Sequence, residues 1–225
     1  MKFNFLFKKK KLLVLGDSHA EVFRTKVISS SLLDRYNVRL ELVHGATISG
    51  IENPNSKTKA LPIFQKAYEL HKPDLVIILL GEVDTGFVLW FQSEKKSRPI
   101  GEMLDLCVEK YIKFIDSHMG KDKTVVISAP LPTIKDAQDW GEIANARKEV
   151  RATQLDRTAL TIELNKKIEK YCVTKGLIHV NLDPICMGDD GTVSKILLNE
   201  DANNHHYDNN VYAHTLLKEL NKIFK

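Results

Sequence analysis

Apolar residues enter this chain in short unbroken blocks separated by helix-length stretches of mixed character. Leu12-Leu13-Val14-Leu15 and Leu75 to Leu80 are such blocks, and Thr124 to Ser128 and Gly176 to Asn181, with shorter apolar centres, are read as strands beside them. Runs of this kind mark parallel strands covered on both faces. Asn37 to Val43 instead alternates apolar and polar, the pattern of a half-exposed strand at a sheet edge. Helices are predicted over 20–33, 60–70, 101–119 and 212–224, with a long polar one over 142–175. Leu104, Val108, Tyr111 and Ile115 fall at helical spacing and read as core. Strand and helix thus alternate five times without an internal repeat or linker. Parallel strands need crossovers, and the crossovers cover both faces. The fold class expected is α/β: a three-layer α/β/α domain around a five-stranded parallel sheet, flavodoxin-like in its strand order 2-1-3-4-5. Residues 1–10 read as a basic N-terminal arm and 11–225 as a single domain.

Composition narrows the classes. In 225 residues, 43% are hydrophobic, enough for one sizeable core. The net charge of +4 is local, because Lys8 to Lys11 supply four consecutive positive charges. Neither an aromatic-plus-basic RNA motif nor Cys/His finger spacing accompanies them, so no nucleic-acid partner is expected. The apolar part of Met1 to Phe7 is shorter than the ~7–15 residues of a secretory core. Nothing approaches the ~18 apolar residues of a membrane span, so no stable membrane anchor is expected. Three widely spaced cysteines, Cys107, Cys172 and Cys186, suit buried thiols in a reducing cytoplasm.

In doubly wound sheets, ligands bind at the carboxyl ends of the strands. The loops there are Gly16 to His19, His44 to Ser56, Gly81 to Gly86, Pro130 to Thr133 and the segment after Asn181, and they hold the chain's unusual residues. Ser18, between a strand and a helix, stands where backbone N–H groups favour developing negative charge. The plainer role for Asp17 or Ser18 is to cap that helix. A serine nucleophile needs a base on another loop at the same sheet end. Of eight histidines, only His205 and His206, between the fifth strand and the last helix, are so placed. Two adjacent histidines without a third ligand do not make a metal site, and neither a metal nor another cofactor is expected. A dinucleotide module is disfavoured because no Gly-x-Gly-x-x-Gly follows the first strand. Arg147, Arg151 and Arg157 read mainly as a solvated helix face. Trp90 and Phe91 read as core, a subunit contact or a sugar platform.

Gly16-Asp17-Ser18 after an apolar strand resembles the first block of the GDSL/SGNH hydrolase superfamily. Gly45 to Gly50 is similar to the second block, Gly81-Glu82-Val83-Asp84 stands at the Gly-x-Asn-Asp third block, and His205 and His206 lie near the final Asp-x-x-His. The resemblance runs over residues 12 to 212. It implies Ser18 as nucleophile, His206 or His205 as base, and the N–H groups of Ser18 and Gly50 as oxyanion hole. Asp17, His19, Glu82, Val83, Asp84 and Thr133 would border the substrate pocket. Two departures stand out. Val83 occupies the asparagine position, which removes one oxyanion donor. No acidic residue stands three before either histidine, so Asn203 or Asp201 is left to orient the base; spacing to the last helix favours His206. Glu82 is expected in a salt bridge to a nearby Arg or Lys. The function implied is a serine esterase or acyltransferase acting on a small acyl ester of a carbohydrate or polysaccharide. The alternative is a catalytically weakened, glycan-binding or accessory protein on the same fold.

Overall fold

The computed structural model describes residues 9–120, 124–136, 150–201 and 203–224. Strand β1 (Lys10–Gly16) lies between β2 (Tyr36–Leu42) and β3 (Leu75–Leu79), followed outward by β4 (Thr124–Ile127) and β5 (Ile178–Val180). Every pairing is parallel and the order is β2-β1-β3-β4-β5, as the pattern predicts. The sequence reverses direction across the sheet between β1 and β3, and ligands of such sheets gather at that switch point.

The unbroken apolar runs follow from two cores. Leu13, Leu15, Val76, Ile78 and Val126 point to one face, where they meet Phe64 and Ala67 of α2 (Ala60–His71) and Leu104, Tyr111 and Phe114 of α4 (Ile100–His118). Leu160 and Leu164 of α5 (Gln154–Lys175) complete that layer. Leu12, Val14, Ile77, Leu79, Val125 and Ile127 point the other way, onto Ile28 and Leu32 of α1 (Lys26–Arg35) and Leu216 and Leu220 of α7 (Asn209–Ile223). On edge strand β2, Tyr36, Val38, Leu40 and Leu42 pack inward, while Arg39 and Glu41 pair on the open face at 2.8 Å. Each fully buried side chain of this size contributes about 1.5–3 kcal/mol, so the double core dominates the fold's stability.

The helices differ from expectation in five places. The predicted helix over 20–33 is two pieces: a 3₁₀ helix (Ser18–Arg24), then α1, with Thr25 extended at ψ 144° between them. The long polar helix begins at Gln154. Thr153 and Asp156 form a reciprocal capping box that stops it there, and the expected turns over 142–149, including Arg147, lie outside the described residues. After β3 the chain makes a π-helical turn (Asp84–Val88) and continues as α3 (Leu89–Lys96). The last helix starts three residues before Tyr212, because Asp208 accepts from the N–H groups of Asn210 and Val211. A short helix α6 (Asp183–Cys186) follows β5. All three cysteines are buried free thiols, with Cys172 and Cys186 both pushed up to about 12 by burial.

Candidate active site

Ser18 is placed by a turn that only glycine permits. A Cβ on Gly16 would lie 2.4 Å from Ala20 Cβ and 2.8 Å from the Leu79 carbonyl, so the turn can close against β3 only there. Asp17 then caps the 3₁₀ helix, its Oδ1 accepting from His19 N–H at 2.8 Å. The cap is therefore Asp17, and Ser18 is spared that duty in the first turn. Amide donors of a first turn have no carbonyl of their own helix to bond.

A second loop, 43–59, crosses from β2 to α2. Its inner part is held by Asp84, whose carboxylate accepts from the N–H groups of Ile48 (2.7 Å) and Ser49 (2.9 Å). Lys110 Nζ donates to the Ser49 carbonyl. Gly50 N–H donates to Thr47 Oγ1 at 3.2 Å. Asp84 is wholly buried, and loss of hydration pushes its carboxyl up to about 6 despite those bonds.

The third strand ends in Gly81 at φ +125°, a conformation that side chains disfavour. Thr85 Oγ1 returns to the Gly81 carbonyl and contacts Thr161 Oγ1 of α5 at 2.7 Å. Trp90 is half-buried against the core with its Nε1–H on the Thr85 carbonyl, and Phe91 stacks on Phe87. Arg157 is buried rather than on a solvated face: it donates to the Ile134 carbonyl at 2.7 Å and reaches Asp136 at 3.3 Å, tying the β4 loop to the start of α5. Arg151 precedes that helix and is exposed.

The loop before α7 is held by the β4 end. Leu131 N–H donates to Tyr207 Oη at 2.7 Å, and Thr133 Oγ1 donates to the His205 carbonyl at 2.5 Å. So anchored, His206 brings Nε2 to 2.8 Å from Ser18 Oγ. Its Nδ1 lies 2.9 Å from Asn204 Oδ1, which also accepts the His206 backbone N–H at 3.0 Å. A backbone N–H can only donate, so the amide must present its oxygen to the ring. The ring then carries its proton on Nδ1, leaving the Nε2 lone pair for the serine hydroxyl. The pairing selects His206 over His205, whose ring packs on it with centroids 4.1 Å apart. Asp201 Oδ1 accepts from Asn203 N–H at 2.9 Å and from its amide at 3.3 Å, on the exposed side of the loop. The orienting group is Asn204, missed because the family spacing is three residues. An Asx turn joins a side-chain oxygen to the residue two positions on, and Asn204-His205-His206 carries that signal.

The expected pocket residues divide. Asp17, Glu82, Asp84 and Thr133 are 4% exposed or less and serve as buried framework; Val83 is half-buried. His19, also buried, lines a cavity of about 220 Å³ together with Ser18, Glu21, His44, Asn204, His206, Tyr207, Asn209 and Tyr212. Glu21, His44 and Asn209 have no counterpart among the sequence candidates. Glu21 joins His44 (2.9 Å) and Arg24 (2.6 Å) at the rim. Glu82 lies 3.7 Å from His19 Nε2. Among the described residues no group of three or more His, Cys, Asp or Glu is arranged to hold a metal ion, and no helix is long and apolar enough to cross a membrane.

No family model matches the chain, and no curated protein matches its sequence significantly. Solved structures do. The chain is similar to a GDSL-like lipase from Bacteroides thetaiotaomicron, with TM-score 0.58 and 16% identity over 94% of this chain and 86% of that one. It is similar also to Est24, a carbohydrate acetylesterase from Sinorhizobium meliloti, with TM-score 0.59 and 16% identity over 96% of this chain and all of that one. With TM-scores near 0.6 and near-complete coverage in both directions, the chain has the fold of the GDSL/SGNH hydrolases.

Proposed function

We propose that this protein is a serine esterase or acyltransferase that works on small acyl esters through Ser18 and His206. The observation that carries this is the relay Ser18 Oγ–His206 Nε2–His206 Nδ1–Asn204 Oδ1, with steps of 2.8 and 2.9 Å at the carboxyl end of the sheet. His206 takes the Ser18 proton as the hydroxyl oxygen attacks the ester carbonyl, then returns it to the departing alcohol. The acyl-serine is resolved by water or a second alcohol. The backbone N–H of Ser18 and that of Gly50, once released from Thr47, are the donors for the oxyanion.

A hydroxyl-bearing alcohol, as in an acetylated sugar or polysaccharide, suits the cavity: Glu21, His44, Asn204 and Asn209 line it with hydrogen-bonding groups beside the reacting pair. The carbohydrate activity of Est24 is in keeping with that choice. Buried, unbridged cysteines suit a cytoplasmic setting. The second reading, a weakened site retained for glycan binding, is favoured by Val83, since losing one oxyanion donor costs roughly 10²–10³ in rate. Turnover of p-nitrophenyl acetate separates the two. The esterase reading expects hydrolysis that Ser18→Ala removes. Equal rates in both proteins contradict it and leave the binding reading.

A further inference from the structure

The residue after the nucleophile is a histidine, and the structure gives it unusual surroundings. His19 is 6% exposed. Its Nδ1 lies 3.2 Å from Asp17 Oδ1 and its Nε2 3.7 Å from Glu82 Oε2, and both carboxylates are themselves buried. On its third side is the base: the His19 and His206 ring centroids are 4.7 Å apart, and that of His205 is 6.0 Å away. Asp17-Ser18-His19 also repeats the local geometry of Asn204-His205-His206. In each, one side-chain oxygen holds both the backbone N–H and the ring nitrogen of the histidine two residues on. Two such units face each other across the serine, one built on a carboxylate and one on a neutral amide.

From this arrangement we infer that His19 is a standing imidazolium, clamped between Asp17 and Glu82, and that it acts as a positioning residue setting the protonation of His206. A buried carboxylate is tolerated when an opposite charge meets it. Here one ring offers an N–H toward each of two. The groups facing it are Asp17 from its own turn, Glu82 from the β3 end, and His206 and His205 from the loop before α7. Asp84 lies beyond Asp17, and Glu21 and His44 stand at the cavity mouth. A positive charge beside His206 disfavours a second one, so His206 holds a proton less tightly with His19 charged than it would beside a neutral residue at that position. The cost is driving force for proton uptake, a trade that general-base catalysis allows near the working pH.

The inference rests on the esterase reading only for its catalytic consequence, and imidazole ¹⁵N NMR of the full chain tests it without turnover. At neutral pH, His19 should show two protonated ring nitrogens. In His19→Gln, which keeps an amide for Asp17 but no charge, the His206 titration midpoint should rise by about one unit or more. The acid limb of the p-nitrophenyl acetate pH profile should move with it. A neutral His19 ring, or an unmoved His206 midpoint in the folded variant, overturns the inference. Failure of the esterase reading has a different signature, equal turnover in wild type and Ser18→Ala, and leaves the NMR result standing.

Discussion

An amide oxygen, not a carboxylate, holds the ring that faces Ser18. In the proposed reaction, Asn204 would fix the tautomer of His206 but add no charge to stabilise the imidazolium formed during proton transfer. Asn204→Asp is therefore expected to raise kcat/KM for an activated acetate ester. Asn204→Leu, which removes the acceptor, should lower it by about tenfold or more. Val83→Asn is the matching gain at the oxyanion side: about tenfold higher kcat, read in the same assay, if the new amide reaches the position its family counterpart holds. Ser18 and the histidine pair were legible in the sequence because an apolar strand running into Gly-Asp-Ser and a His pair before a helix are one-dimensional signatures. Asn204 was not, since an Asx turn moves the orienting oxygen one residue from its usual spacing. The surroundings of His19 were not legible either, because Glu82 and His206 reach it from distant parts of the chain.

Asp84 works at the scale of elements, joining the start of the π-turn after β3 to the loop after β2 that carries Gly50. Asp84→Asn leaves one of two amide donors facing an NH₂ group. The expected loss is about 1–3 kcal/mol in urea unfolding at neutral pH, with a larger loss of kcat than of substrate affinity as Gly50 drifts. The sign of the pH effect follows from burial. The folded carboxyl titrates at about 6, above its ordinary 3.8, so between those values the folded chain holds the extra proton. Its contribution to stability falls as pH rises from 3.8 to about 6 and is flat above, and the variant should lack that slope. Strand positions were read within a residue or two because unbroken apolar runs are unambiguous when both faces are covered. Helix limits were read less well. The break at Thr25 leaves apolar periodicity intact on both sides, and the start at Gln154 depends on a Thr-x-x-Asp box buried in a polar stretch.

For the molecule as a whole, the alternation of strands and helices carried the sheet order, since right-handed crossovers leave few alternatives. It also carried the placing of the Ser18 and His206 loops at one end of the sheet. Stability at acid pH is a balance. Asp183, pushed up to about 6 by burial, behaves as Asp84 does. His179 on β5 opposes them: burial lowers its pKa, both ring nitrogens lack a hydrogen-bond partner among the described residues, and Glu169 is 3.9 Å away. Its neutral form is favoured in the fold, so stability is lost as pH falls below the ordinary histidine range. His179→Leu should stabilise the protein by about 1 kcal/mol, with the gain growing in acid, as followed by urea unfolding across pH. The central claim is that Ser18, activated by His206, is a nucleophile, and covalent capture by a fluorophosphonate read by intact and peptide mass spectrometry tests it most directly. One adduct on Ser18 in the wild type, absent in Ser18→Ala and strongly slowed in His206→Asn, is the predicted result. An unlabelled wild type, or labelling that persists in Ser18→Ala, would contradict it.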